Sequence, residues 1–509
     1  MEMSDEPKNQ SLKNHEWVML IILTISSFFV VLDFASIFIP LPSIMEEFHG
    51  AINEGAWIIV GFILAFSLFL LISSSLAENY GNRKLFILGI IVFTLSSVAS
   101  ALAPTMGFLI CARVVMGIGA ALVEYSVYAL IKSNISFSKQ EFAFTVQGTA
   151  FITGALLAPV ISGAITTLLS WEFIFWLNVI AGAIVFLLAL KWIPSSFGKD
   201  EARGIDISGF LLCGASLFIL FFTIIEGPRL HWNIGFLLIA VIFSAFLFIL
   251  FIKVEKRVQN PMIDLTLFKD RLFRIGNILR GTSEFTSMGI YFVISHFLQV
   301  QLGYSALFTG VLLMAVIVGG LLAGAVTEPL SKRMNGRWLI VPGYLLVAGG
   351  TFWFANVTTD TEWLFFLIPL AVAGAGFTAQ EGPTLDARDK NIPSHRKSSA
   401  WRLSYSIFLL GIGLGVAVVS SIWQSQFLSG IKQNLSEAEL PAHVIGKILP
   451  TLVNGGVSGN PAADIAGSSE AREIIQMTFS NAVNASLLSC VVIAVLGAGV
   501  ALLFSDKKN

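Results

Sequence analysis

Arg113 is the lone charge in the apolar run of residues 108–121, Phe-Leu-Ile-Cys-Ala-Arg-Val-Val-Met-Gly-Ile-Gly-Ala-Ala. A cation in hydrocarbon is costly, so it faces the inside of a helix bundle and takes a partner. Asp33, the only charge in the apolar run 17–39, is the candidate. Counted from the outer ends of their runs, Asp33 lies about six residues deep and Arg113 about five, similar depths at 1.5 Å per residue. An ion pair between the two runs is therefore expected. Two roles stand open: a proton-coupling carboxyl tuned and positioned by the arginine, or a static pair that joins two helices. Glu124 follows Arg113 by three turns plus about 20°, on the same face but about 16 Å further along, too far for direct pairing. It reads as a second proton carrier or a contact for a cation, with a structural role as the alternative, and Tyr125 beside it as an aromatic surface or a packing residue. A second polar stripe, Arg280, Glu284, Ser287, Tyr291 and Ser295, runs at helical spacing. Arg280 and Glu284 can pair within the helix, either as a transport site or as a neutralised lining. His296 reads as a packing residue, and Glu381 as an interfacial acid.

These residues need long apolar helices to hold them. Of 509 residues, 55% are hydrophobic and 12% charged, where a soluble domain carries about 25%. Apolar runs long enough to cross ~30 Å of hydrocarbon recur along the chain. They divide into fourteen spans: 17–39, 55–77, 84–103, 108–131, 142–165, 172–193, 207–226, 233–253, 272–300, 306–327, 338–356, 363–384, 401–428 and 477–504. With both termini cytoplasmic, only Arg229, Lys432, Lys447 and Arg472 fall in outer loops, as the positive-inside rule requires. The expected organisation is a cytoplasmic tail (1–16), a six-helix half (17–193), two inserted helices with linkers (194–271), a second six-helix half (272–504) and a cytoplasmic tail (505–509). An outer loop, 429–476, interrupts the second half, and segment 436–452 is expected to form short surface helices. Residues 386–390 read as a mixed-charge loop. Cys111, Cys213 and Cys490 all lie in apolar runs and read as buried small hydrophobes, with no disulfide or metal site. The polar start of the chain does not read as a cleaved signal peptide.

The loop after span 2 runs Ser73-Ser-Ser-Leu-Ala-Glu-Asn-Tyr-Gly-Asn-Arg-Lys84, and the loop after span 10 also places an acid, then glycine and basic residues, in a cytoplasmic turn. Two related halves rocking about a central site would explain the echo. At these residues the chain resembles the major facilitator superfamily, and within it the 14-helix drug:proton antiporter branch. Leu76, Ala77, Gly81 and Arg83 match the loop signature of that family, with Glu78 in place of its aspartate and Lys84 following. Arg113, Gly117, Gly119, Ala120 and Ala121 match its span 4 motif. Gly154, Ala158, Pro159, Ser162 and Gly163 resemble the antiporter signature of span 5, with Ala158 and Ser162 replacing two glycines. Asp33, Leu41 and Pro42 match the motif at the end of span 1.

The resemblance implies an all-α polytopic membrane protein of major-facilitator fold, with fourteen transmembrane helices in two six-helix halves plus two inserted. It implies that Glu78, Gly81, Arg83 and Lys84 form a cytoplasmic latch, and that the seam Gly154–Gly163, bent at Pro159, seals one half against the other. The expected function is proton-coupled antiport that exports amphipathic or cationic small molecules across the plasma (inner) membrane. The energy source would be the proton gradient, with no cofactor and no catalytic or metal site. Its partners would be substrate, protons and lipids, with no nucleic acid, and a monomer is expected; an envelope partner is left unspecified. The alternatives are a major-facilitator transporter of one metabolite, lipid or siderophore, and a receptor or accessory protein without flux.

Overall fold

In the computed structural model, residues 12–195, 204–357, 361–437 and 469–504 are described, and every regular element among them is helical. The long helices are α1 (Asn14–Ser36), α3 (Ile52–Tyr80), α4 (Asn82–Ala101), α5 (Met106–Asn134), α6 (Phe137–Leu168), α7 (Glu172–Trp192), α8 (Ile207–Glu226), α9 (Ile234–Glu255), α10 (Arg271–His296), α11 (Ala306–Ser331), α12 (Arg337–Ala355), α13 (Leu364–Asp389), α14 (Lys397–Glu437) and α15 (Ser469–Leu502); α2 (Leu41–Glu47) is short. Among the described residues, thirteen helices are long and apolar enough to cross a membrane. Helix α10, 26 residues long, is more polar because it carries Arg271, Arg274, Arg280 and Glu284.

Local chemistry sets the boundaries. Thr105, Asp206, Asn233, Asp270 and Ser305 each accept a hydrogen bond from a backbone N–H in the first turn of the helix that follows. Gly81, at φ +90°, is the whole turn between α3 and α4, a backbone state that side chains with a Cβ resist. Several expected edges move. The first helix stops at Ser36, and α2 follows with Pro42 in its first turn, where proline is tolerated. Helix α13 runs through Asp389, so residues 386–389 are helical and not a loop. Helices α14 and α15 extend well into the expected outer loop; residues 438–468, and with them most of 436–452, lie outside the described residues. Cys213 and Cys490 are buried, but Cys111 is exposed, one helical turn from exposed Phe108 and Val115 on the outer face of α5.

The helices repeat. Helices α1, α3, α4, α5 and α6, moved forward by 256 positions, begin within four residues of α10, α11, α12, α13 and α14. Packing repeats as well: α1 with α6, α3 with α5, α4 with α5 and α4 with α7 match α10 with α14, α11 with α13, α12 with α13 and α12 with α15. The two groups meet where α3 packs on α14 and α6 on α11. Helix α8 leans on α3 and α14, and α9 packs chiefly on α8. In its most apolar window α3 is 83% buried and α9 only 11%, which makes α3 core and α9 a lipid-facing outlier.

Candidate functional site

The first charged centre joins α1, α5 and α7. The Arg113 Nη1 donates to Asp33 Oδ2 at 2.5 Å, and Asn178 Nδ2 on α7 donates to Asp33 Oδ1 at 2.7 Å. Both carboxylate oxygens are thus filled, and the pair is sealed, with Arg113 0% and Asp33 1% exposed. The guanidinium lies 4.4 Å from the Phe62 ring centroid and 5.8 Å from that of Phe175, so aromatic faces replace water around it. Its Nε and Nη2 have no hydrogen-bond partner among the described residues. Gly117, one turn further, lets α5 close on the Phe62 carbonyl of α3; any Cβ there would strike it. Asn178 was not picked out from the sequence, although a lone amide in the run Phe-Ile-Phe-Trp-Leu-Asn-Val-Ile is a readable sign of an inward-facing helix position.

The second centre lies deeper along α5. Ser27 on α1 donates to Glu124 Oε1 at 2.5 Å, and Gln147 Nε2 on α6 donates to Ser27 Oγ at 3.0 Å. Glu124 is buried and makes no ion pair among the described residues; it does not reach Arg113. Tyr125 is buried too, its ring 5.9 Å from the Arg402 guanidinium of α14, so it packs and is not an open surface. An aromatic group not foreseen as such fills the junction between the two helix groups. Tyr128 stacks on Trp401 at 4.5 Å and 7°, and Tyr405 touches Phe66, Phe151, Trp401 and Phe408. Tyr405 is within electrostatic reach of both Glu124 and Arg280.

The third centre lies on α10 and α13. Arg280 binds Glu381 Oε1 at 2.5 Å and its helix neighbour Glu284 at 3.4 Å, and its guanidinium sits 4.7 Å from the Phe408 ring. Glu381 is therefore more than an interfacial acid: although 47% exposed, it is the shorter partner of Arg280. Its role was hidden because the pairing crosses 101 residues of sequence. Ser287 and Tyr291 are half-buried on the same helix. His296 is a packing residue: its Nδ1 meets the Phe292 carbonyl, its Nε2 the Met45 sulfur, and its ring the edge of Trp423.

The remaining motif residues shape contacts between helices. Arg83 Nη2 donates to the Leu190 carbonyl at 2.5 Å, tying the Gly81 turn to the end of α7; Glu78 is half-buried and Lys84 exposed. A Cβ at Gly154 would lie 3.0 Å from the Phe28 carbonyl of α1, and one at Gly163 2.5 Å from the Ala306 carbonyl of α11. The Pro159 carbonyl meets Gly310 of α11, and Ala158 is fully buried. The seam thus brings α6 against α11, across the boundary between the groups.

Against known proteins, the family model of the Major Facilitator Superfamily matches residues 23–416. The chain belongs to this superfamily. It is a multi-pass membrane transporter of that fold. It is 26% identical over 459 residues, 89% of this chain and 84% of the relative, to the multidrug resistance protein Stp of Mycobacterium tuberculosis (strain CDC 1551 / Oshkosh). It is 24% identical, over 100% of this chain and 96% of the relative, to the tetracenomycin C resistance and export protein of Streptomyces glaucescens. Among solved structures it is similar to a bacterial homolog of the human lysosomal transporter Spinster in an inward-facing, unoccupied conformation. That likeness has a TM-score of 0.64 at 16% identity, covering 98% and 100% of the two chains, and shows the fold alone.

Proposed function

We propose that this superfamily transporter is a fourteen-span, proton-coupled antiporter of the plasma (inner) membrane. It exports amphipathic, cationic small molecules and keeps both termini in the cytoplasm. The observation that carries this reading is Glu124: a buried carboxyl held by a serine hydroxyl, with no cation beside it among the described residues. A lone buried carboxyl is tolerated when it holds a proton or meets a cationic ligand, and those are the two cargoes of such an antiporter. A cation arriving from the cytoplasm displaces the proton of Glu124 to water and pairs with the carboxylate. Outside, a proton from the medium re-forms the acid and releases the cation. The aromatic group around Tyr405 supplies faces for a flat cation, and Arg280, Glu284 and Glu381 set the charge on the opposite wall. The sealed Asp33–Arg113 pair couples the tilt of α1, α5 and α7 to this exchange. Relatives named for drug resistance and export support the direction.

The test is efflux of ethidium from proteoliposomes under an imposed pH gradient. The expected result is uphill movement that stops when the gradient is collapsed, and loss of gradient dependence in Glu124→Gln and Asp33→Asn. Gradient-independent flux, or full coupling in both variants, would sink the proposal.

A further inference from the structure

The hydrogen bond between α1 and α5 has a twin. Ser27 and Glu124 are 97 residues apart, and so are Ser283 and Gln380, which join α10 to α13. Each member of the second pair stands 256 positions after its counterpart, the same offset that superposes the helix starts. Position and partner are duplicated, but the chemistry is not. Ser27 donates to a carboxylate, whereas the Gln380 amide donates to Ser283 Oγ at 3.0 Å. Gln380 is 2% exposed, and its Oε1 has no partner among the described residues. Exchanging the amide oxygen and nitrogen still leaves one end unpaired.

The surroundings of the two positions fit one function. Glu124 accepts from Ser27 (α1), which in turn accepts from Gln147 (α6), and Tyr405 (α14) is within electrostatic reach. Gln380 donates to Ser283 (α10) and its carbonyl accepts from Thr384 on its own helix, while the sequence neighbours of that pair, Glu284 and Glu381, share Arg280. Tyr405 is within electrostatic reach of both Glu124 and Arg280.

We infer that Gln380 is a specificity-determining residue. It is the second copy of the Glu124 position, and as an amide it withholds a proton-exchanging carboxyl from the second half, which restricts the site toward singly charged cations. This rests on the reading of Glu124 as a proton-exchange group. The step balances: a carboxylic acid gives its proton to water as a cation takes its place beside the carboxylate. The acid re-forms when the cation leaves. A glutamate at 380 adds one such exchange and one anionic partner for a second positive charge.

The test uses purified full-length protein in weakly buffered detergent with a pH indicator, titrated with ethidium (one positive charge) and dequalinium (two). For Gln380→Glu the expected result is about one more proton released per bound dequalinium than in the wild type. Affinity should shift at least about fivefold toward the dication. Glu124→Gln should lose proton release, and the swap Glu124→Gln with Gln380→Glu should regain it. Gln380→Leu, which adds no charge, should leave the proton count unchanged. An unchanged count and preference in Gln380→Glu, a swap as silent as Glu124→Gln, or an altered count in Gln380→Leu overturns the inference. Absence of gradient-driven flux together with intact proton release on binding would instead remove the export reading, leaving the role of Gln380 standing.

Discussion

The two halves of the repeat share a backbone plan and differ in where they keep charge. In the first, Arg113 and Asp33 form a sealed pair; the positions 256 residues later hold Pro369 and Gly289, so the second half has no counterpart. In the second, the charges sit where the first half has none: Glu284 corresponds to Phe28, and Arg280 is only partly covered. One half has a dry ion pair locking three helices, and the other a half-wet triad of one cation between two acids. Duplicated helices fix where a side chain can stand, and divergence of single residues decides what it does there.

The sharpest way to break this contrast is to remove each arginine. Arg113→Ala leaves Asp33 buried and uncompensated, an expected loss of roughly 3–5 kcal/mol. Arg280→Ala should cost less, about 2–3 kcal/mol, because Glu381 can turn to solvent and Glu284, left without Arg280 at 8% exposed, is less completely covered than Asp33 at 1%. Thermal unfolding of the detergent-purified variants reads both, and equal losses would erase the distinction. Next in size is the seam between the halves. Gly163→Leu pushes a side chain into the Ala306 and Leu307 backbone and should cost about 1–3 kcal/mol, whereas Gly148→Leu, with nothing within 4 Å of its Cβ site, should be nearly neutral.

A smaller contrast lies in the paired serines. Ser27→Ala removes a donor to a carboxylate and should cost about 1.5–3 kcal/mol at a pH where Glu124 is charged. Ser283→Ala removes a neutral acceptor, for about 1 kcal/mol. Comparable losses would mean that the amide and the carboxyl are held alike. The smallest effect is expected at the linker between α9 and α10, where Arg396 binds Asp264 at 2.6 Å and also contacts Thr266. Burial pushes the Asp264 carboxyl up, but the Thr266 hydroxyl and the Arg396 guanidinium outweigh it and hold the carboxyl below its ordinary value. Its contribution is therefore present above about pH 4 and lost as pH falls through the lower folded value. Asp264→Asn should cost under about 0.5 kcal/mol at neutral pH after solvent screening, with the difference vanishing in acid.

Much of this was legible before any coordinates. The depth argument paired Arg113 with Asp33 because a helix rises by a fixed amount per residue, and an eleven-residue step put Glu124 on the same face without contact. The intrahelical pairing of Arg280 with Glu284 followed from spacing alone. The misses have a common cause. Asn178, Glu381 and Ser27 act through partners on other helices, about a hundred residues away or more, and periodicity within one helix carries no information about such partners. Cys111 was assigned to the interior because its run is apolar, yet lipid-facing and core-facing positions of a membrane helix have the same composition.

The amino-acid sequence by itself determined the membrane class, the succession of long helices and the family. Each of these is set by hydrophobicity over some twenty residues or by short local motifs. Tertiary structure alone decided that Asp33 is fully satisfied while Glu124 has no cation among the described residues, and that Glu381 shares Arg280. It also revealed that Gln380 stands where the first half has its lone acid. These are matters of which helices meet and at what height, and in a bundle that is settled by packing across the whole chain.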